Sequence, residues 1–234
     1  MINFKVVFAL FVFINFPINI YANNKEMKIK LNPARFKETN LKVLLEKRKS
    51  CRDFQDKILN LDDIATVLWA TCGKKEDALT GATRTIPSAG TTYPLELYLV
   101  VGRDGIDKVR EGIYHYIIEE HSLELISEGD RRKKISDACL GQDFIAKAPA
   151  SLVVTAKSNR TTDRYGTRGR QYVHMEVGHA CQNTYLAVTN LGLGTVEVGA
   201  FVDEGVKEVM GLDKDTSPLI VMPIGYPQKS RWVE

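Results

Sequence analysis

Two short basic clusters stand at opposite ends of this 234-residue chain: Arg48-Lys49-Ser50-Cys51-Arg52 near the front and Lys229-Ser230-Arg231 at the back. Each sets a hydroxyl among cations, the combination a phosphate monoester requires: fixed charge plus short hydrogen-bond donors. Neither belongs to a Gly-rich phosphate loop, so a phosphate here would be gripped by side chains. The bland alternative is two solvated charge patches, and the residues between them decide. Gly192-Leu193-Gly194…Gly199 is not a dinucleotide fingerprint, because these glycines end a helical stretch and precede a strand. The fingerprint needs the reverse order, so that a helix N-terminus faces the pyrophosphate. There is no G-x-x-x-x-G-K-[ST] loop and no Ser or Cys elbow. A mononucleotide with one terminal phosphate fits what remains.

The elements that must position these groups follow from patterning. Asn60 caps an apolar face made by Leu61, Ile64, Ala65, Leu68 and Trp69, with Asp62 and Asp63 in the first turn and Gly73 at the end. Residues 74–85 read as a polar loop. Leu95–Val101 is a strand, and 112–118 with 123–126 form a hairpin across Glu119-Glu120-His121-Ser122. A helix follows Asp130, then a loop to Pro149 and a strand over 151–156. Residues 158–169, with Arg160, Arg164 and Arg168 among Thr and Gly, read as a mobile basic loop. Residues 171–191 make the longest helix, ending at Gly192. A short strand spans 195–198, Asp203 caps a brief helix, and 219–224 is the last strand. Elements mix without regular β-α-β alternation, which predicts an α+β fold.

Composition narrows the class. A formal charge of +3, with 44% hydrophobic and 26% charged residues, describes an ordinary globular chain. It lacks the concentrated basic face of a nucleic-acid binder, and Arg131-Arg132-Lys133-Lys134 reads as a solvated first helical turn. Cys51, Cys72, Cys139 and Cys181 are widely spaced, and His174 and His179 are five apart, so no metal site is expected. Lys5, the apolar run 6–14, Pro17 and the polar residues after Ala22 form a secretory leader cleaved after Ala22. The expected organisation is therefore a signal peptide over 1–22, an N-terminal extension over 23–40 and one domain over 41–234. The mature chain is then exported and carries no membrane span; the rival is anchoring by an uncleaved leader.

Several motifs recur in a fixed order: RKSCRDF, PSAGTTYPLELYLVV, GQDFIAKAP, EVGHACQNTYLAVTNLGLGTV, VGAF and IGYPQKSR. Together they resemble the nitroreductase superfamily of FMN flavoproteins, and the PSAG…YPLE form resembles its SagB-like dehydrogenase branch. The resemblance spans about 41 to 231. It implies a sandwich with a mostly antiparallel central sheet flanked by helices, and FMN at a homodimer interface. It assigns Arg48, Ser50 and Arg52 to the FMN phosphate and the polar flavin edge. It assigns Pro87, Ser88, Ala89 and Gly90 to a wall supplied by the other subunit, backbone amides at Gly199 and Ala200 to the flavin N5, and Lys229 and Arg231 to closing the phosphate site.

Three departures qualify the implied activity. Thr91-Thr92 stands where typical members carry an Asn near the flavin edge, and the chain has little sequence after Arg231 for a C-terminal arm. Azoline-oxidising members tend to show Lys-Tyr-Gly where this chain has Arg164-Tyr165-Gly166, and an Arg stays protonated and cannot serve as a base. The expectation is an FMN-dependent oxidoreductase passing two electrons in a ping-pong cycle to a small electron-poor acceptor such as a nitroaromatic or quinone. NAD(P)H is a candidate reductant, and Arg164 and Tyr165 are the candidate catalytic side chains beside the flavin. The alternatives are a SagB-like azoline dehydrogenase of peptide maturation and a non-catalytic exported flavin-binding protein.

Overall fold

The computed structural model describes residues 27–77 and 81–228; the leader and the Lys229–Arg231 cluster lie outside the described residues. The chain enters through β1 (Lys28–Lys30) and α1 (Leu41–Lys47), the latter capped by the Asn40 side chain. Next comes α2 (Leu61–Cys72), opened by Asn60 as the sequence predicts. Its whole inner face, Ile64 to Cys72, is buried. Residues 74–85 are not a loop: β2 (Lys74–Asp77) and β3 (Gly81–Arg84) pair as an antiparallel ribbon. Charged side chains obscure that pattern in the sequence, and Lys74 and Arg84 both reach Glu119.

A tight turn then leads to β4 (Leu95–Val101), followed by the hairpin β5 (Gly112–Ile117) and β6 (Ser122–Glu128). After α3 (Arg132–Ala138) the expected loop contains a further short helix, α4 (Asp143–Lys147). Arg132, read as a solvated residue, instead pairs with Asp130 and donates to the Ala148 carbonyl. Strand β7 (Ala150–Ala156) is buried throughout. The basic segment after it folds as α5 (Asn159–Tyr165) and runs into the 24-residue α6 (Arg168–Leu191). Gly192 ends α6 in the left-handed conformation, φ 78°. The chain closes with β8 (Gly194–Thr195), α7 (Asp203–Met210) and β9 (Ser217–Gly225); Val202, not Asp203, is the cap residue of α7.

Among the described residues, seven strands form one sheet in the order β1-β6-β5-β4-β7-β9-β8, every pair antiparallel. Alternation along β4 sends Leu95, Leu97 and Leu99 into a core with α2 and α6. Val100, with Val153 and Val221 from the neighbouring strands, points the other way, onto α3, α4 and α7. Helices thus cover both faces of a largely antiparallel sheet, the α+β arrangement expected. The segment before Leu41 also joins the sheet, since Lys28–Lys30 pairs with 122–124 of β6. Among the described residues no helix is long and apolar enough to cross a membrane, and all four cysteines are free.

Candidate active site

The front cluster is stitched to the far end of the chain. Ser50 bridges Thr195 in parallel fashion, and the Cys51 amide donates to the Thr195 carbonyl at 2.8 Å. This close approach needs Gly194, where a Cβ would press on the Cys51 Cβ at 2.8 Å. Tyr185 of α6 ties the two segments further. Its hydroxyl accepts from the Glu197 amide at 3.0 Å and lies 3.2 Å from Ser50 Oγ. The Arg48 guanidinium sits over the Tyr185 ring, 5.1 Å from its centroid, and Arg52 sits over Phe144 of α4 at 5.9 Å. Gln142, just before α4, donates to the Ala200 carbonyl at 3.1 Å. Arg48, Ser50, Arg52, Gly199 and Ala200 therefore belong to one neighbourhood. Among the described residues its cations face rings rather than carboxylates, and Ser50, Arg52, Gly199 and Ala200 are exposed. Beneath them the Thr195 hydroxyl is buried without a partner.

The second group centres on Ser88. Its hydroxyl accepts from the Tyr93 amide at 2.9 Å and donates to Glu176 Oε2 of α6 at 2.7 Å. The turn between carries three left-handed residues, Gly90 (φ 58°), Thr91 (φ 57°) and Tyr93 (φ 45°). A non-glycine residue there costs about 1–2 kcal/mol, so something must hold it. Arg164 donates to the Gly90 carbonyl at 2.9 Å, Arg160 to the Tyr93 carbonyl at 2.9 Å, and Thr92 Oγ1 pairs with Thr161 Oγ1 at 2.8 Å. A Cβ on Gly90 would collide with the Tyr165 hydroxyl and the Arg164 guanidinium. Tyr165 in turn meets Tyr172 edge-on at 5.2 Å. Pro87, Ser88, Ala89, Tyr172, Glu176 and His179 bound a cavity of about 240 Å³.

The expected mobile basic loop is corrected here in two respects. It is helical, and its cations are engaged: Arg160 pairs with Glu96 at 2.6 Å, and Arg164 anchors the turn. Burial pushes the Glu96 carboxyl up, but His115 and Arg160 outweigh it and hold that carboxyl below the usual range. The pattern hid this helix because Thr161 alone of its residues is buried.

Glu176 is the residue sequence reasoning missed. It is 3% exposed, and its Oε1 has no hydrogen-bond partner. Burial pushes its carboxyl up to about 7, against the Ser88 hydrogen bond. One signal was available: position 176 falls in register with the buried Val173, Val177 and Ala180, where an acid is out of place.

The two groups lie at different stations on α6. Glu176 and Tyr185 are nine residues apart, about 14 Å along the axis and about half a turn round it. A larger cavity, about 660 Å³, lies elsewhere, bounded by Leu31, Phe36, Trp69, Ile118 and charged rim residues. It touches neither group.

Comparison with known proteins follows the same lines. The model of the nitroreductase family matches residues 45–226. A provisional nitroreductase of Methanocaldococcus jannaschii (MJ1384) is 44% identical over 188 residues, 80% of this chain and 91% of that protein. The trifolitoxin-processing protein TfxB of Rhizobium leguminosarum bv. trifolii is 28% identical, over 66% of this chain and 44% of its own length. An NAD(P)H-dependent FMN reductase of Bacillus subtilis is 32% identical, over 44% of this chain and 47% of its own. The crystal structure of a provisional nitroreductase from Ralstonia eutropha superposes with a TM-score of 0.74, covering 86% of this chain and 90% of that one at 29% identity. Motif order, sheet topology and these likenesses agree, and the chain is an oxidoreductase of the nitroreductase family.

Proposed function

We propose that this protein is an FMN-dependent oxidoreductase acting as a homodimer. It passes two electrons by a ping-pong cycle from a reductant such as NADH or NADPH to a small electron-poor acceptor, a nitroaromatic or a quinone. The observation that carries the cofactor is the open cluster of Arg48, Ser50 and Arg52, whose cations rest on aromatic rings rather than on carboxylates. A phosphate monoester would meet charge-assisted donors there without breaking an existing ion pair. The likeness to an FMN reductase supports the same cofactor. When bound, the flavin supplies the redox chemistry. The chain's own residues bind and orient it: Arg48 and Arg52 with Ser50 on the phosphate side, and the exposed backbone at Gly199–Ala200 as hydrogen-bond donor to the ring. Lys229 and Arg231 are assigned to the phosphate by their motif alone.

The homodimer is supported by the separation along α6. One ring that touches both the Arg48 neighbourhood and the Pro87–Gly90 wall would draw them from two copies of the chain. Sedimentation should give a dimer, and a stable flavin-loaded monomer would contradict it. Purified protein should be yellow, with one FMN per subunit; a colourless preparation that takes up no added FMN removes the central claim. Stopped-flow reduction by NADH, NADPH and a quinol identifies the donor. Bound flavin that none of them reduces would favour a binding protein instead.

A second reading, azoline oxidation in peptide maturation, draws support from the likeness to TfxB. Arg164 weighs against it, because its guanidinium stays protonated and is engaged on the Gly90 carbonyl. A turnover screen of nitroaromatic, quinone and azoline-peptide substrates, on wild type, Arg164→Lys and Tyr165→Phe, separates the two. Robust azoline oxidation by the wild type would overturn the preference. Export with cleavage after Ala22 belongs to the same proposal, and the N-terminal residue of the secreted protein checks it.

A further inference from the structure

The Pro87–Tyr93 turn hangs on one hydroxyl, and that hydroxyl depends on one acid. Because Ser88 Oγ accepts from the Tyr93 amide, its proton points to Glu176 Oε2. With Glu176 neutral, Oε2 serves as a carbonyl acceptor and the proton resides on Oε1, which has no other partner. With Glu176 ionised, a charge sits 97% buried with a single hydrogen bond, a state proteins avoid by moving the group or admitting water. The route out is short, since the cavity that Glu176 borders opens past the exposed Met175 and His179. Leaving by that route would strip Ser88 of its acceptor beside three left-handed residues.

The ionisable groups around this carboxyl do not neutralise it. On α6 itself Tyr172 and His179 border the same cavity. From α2, Cys72 is close enough for the Glu176 charge to bear on it, as do Glu96 of β4 and Arg84. Beyond Ser88 stands Tyr93, with Arg84 over its ring at 5.0 Å. From α5, Tyr165 leans on Tyr172, and Arg164 is committed to Gly90. Among the described residues Ser88 is the hydrogen-bond partner of the carboxyl.

We propose that Glu176 is a positioning residue: neutral, it fixes Ser88 and through it the left-handed Pro87–Tyr93 turn, and its ionisation releases that turn. Its bearing on catalysis rests on the proposed role of this turn as the flavin wall. The turn itself is read directly, by hydrogen exchange of the Tyr93 amide in the purified protein, expressed as a protection factor at about pH 5.5 and about pH 8.5, on either side of the carboxyl's value of about 7. Protection in the wild type should fall about tenfold at the higher pH, the equilibrium equivalent of one lost hydrogen bond. Glu176→Gln, which keeps the acceptor oxygen and cannot ionise, should hold the acid-side protection at both values. His179→Gln should leave the wild-type drop in place.

Protection that does not change in the wild type, persists in changing in Glu176→Gln, or stops changing in His179→Gln overturns the proposal. The dissociation constant for added FMN, measured on the same three proteins over the same range, reports separately on the functional reading. The affinity of wild type relative to Glu176→Gln should weaken several-fold at the alkaline end. If protection falls while FMN affinity does not follow, the clasp stands and the turn is not the flavin wall.

Discussion

Around Arg48 and Arg52 the cations lie over aromatic rings and the flanking backbone is exposed; around Pro87–Tyr93 almost every polar group already has a partner inside the chain. The first neighbourhood is unsaturated, which the proposed phosphate site requires. The second is saturated and strained, which suits the proposed role of a wall that keeps one shape. Both are set on the same helix, about 14 Å apart along its axis. The contrast teaches that binding capacity and rigidity are divided between segments far apart in sequence, and it makes mutations in the two regions behave differently.

The largest effect should come from removing the unsaturated cations. Arg48→Ala and Arg52→Ala should each weaken FMN binding by about 1.5–3 kcal/mol, the range for hydrogen bonds to charged groups. The double variant should purify largely as apoprotein. Neither change should move apoprotein stability by more than about 1 kcal/mol, because no internal ion pair is lost and only one cation–π contact goes with each Arg. Fluorescence titration with FMN and urea denaturation of the apoprotein give the two numbers. Equal losses of affinity and stability would mean that the cluster is structural.

The next effect belongs to the wall and depends on pH. The Glu176 carboxyl is raised from the ordinary value near 4.5 to about 7 in the fold. Below the ordinary value both folded and unfolded chains hold the proton, so the group contributes no pH dependence. Between the two values the unfolded chain releases the proton first, and stability falls as pH rises. Above about 7 the deficit levels off, at up to about 3 kcal/mol. Urea midpoints of the wild type should therefore decline across this window more steeply than those of Glu176→Gln. Parallel curves would remove the buried acid from the account.

A smaller loss should follow Gly90→Ala, and a paired control separates its two causes. Gly90 (φ 58°) and Gly211 (φ 64°) share a left-handed conformation, but a Cβ on Gly211 meets nothing within 4 Å. Alanine at Gly211 should cost about 1 kcal/mol of stability, the conformational term alone. At Gly90 the Tyr165 hydroxyl and the Arg164 guanidinium must also shift, so about 2 kcal/mol is expected, with the excess reduced, not abolished, in a Tyr165→Phe background.

How far this contrast could be read from the sequence depends on what each region uses. The unsaturated side is written partly in local sequence: Arg48, Ser50 and Arg52 set a hydroxyl among cations, and the ordered motifs between the two basic clusters, not this cluster alone, raise it above a solvated charge patch. Elements elsewhere in the fold were legible where capping and period agree, as in α2 behind Asn60 or the alternation of β4. The saturated side is written in tertiary partners. Helix α5 exists because Thr161 reaches Thr92 and Arg160 reaches Glu96, contacts that no local pattern announces. The β2–β3 ribbon has charged strands whose partner, Glu119, lies on a distant turn. By residue type Glu176 is one helical acid among several, and only its place in the apolar register of α6 marks it.

The smallest effects test whether the division holds at the level of single bonds. Tyr185→Phe removes one hydroxyl, which joins Ser50 to the Glu197 amide at the edge of the receiving surface. Arg164→Ala removes one donor from the wall, its bond to the Gly90 carbonyl. Each loss is worth about 1 kcal/mol or somewhat more where a charge is involved, so gross stability cannot distinguish them. Their destinations can. Without the Tyr185 hydroxyl, Ser50 loses its tether, and FMN affinity should drop a few-fold at every pH while the Tyr93 amide stays protected. Without Arg164, the Gly90 carbonyl is released: protection in the turn should fall, and the phosphate contribution to affinity, taken as the ratio of FMN to riboflavin binding, should stay constant. Crossed outcomes, with Tyr185→Phe loosening the turn or Arg164→Ala changing that ratio, would show one coupled network on α6 instead of a receiving surface and a separate wall.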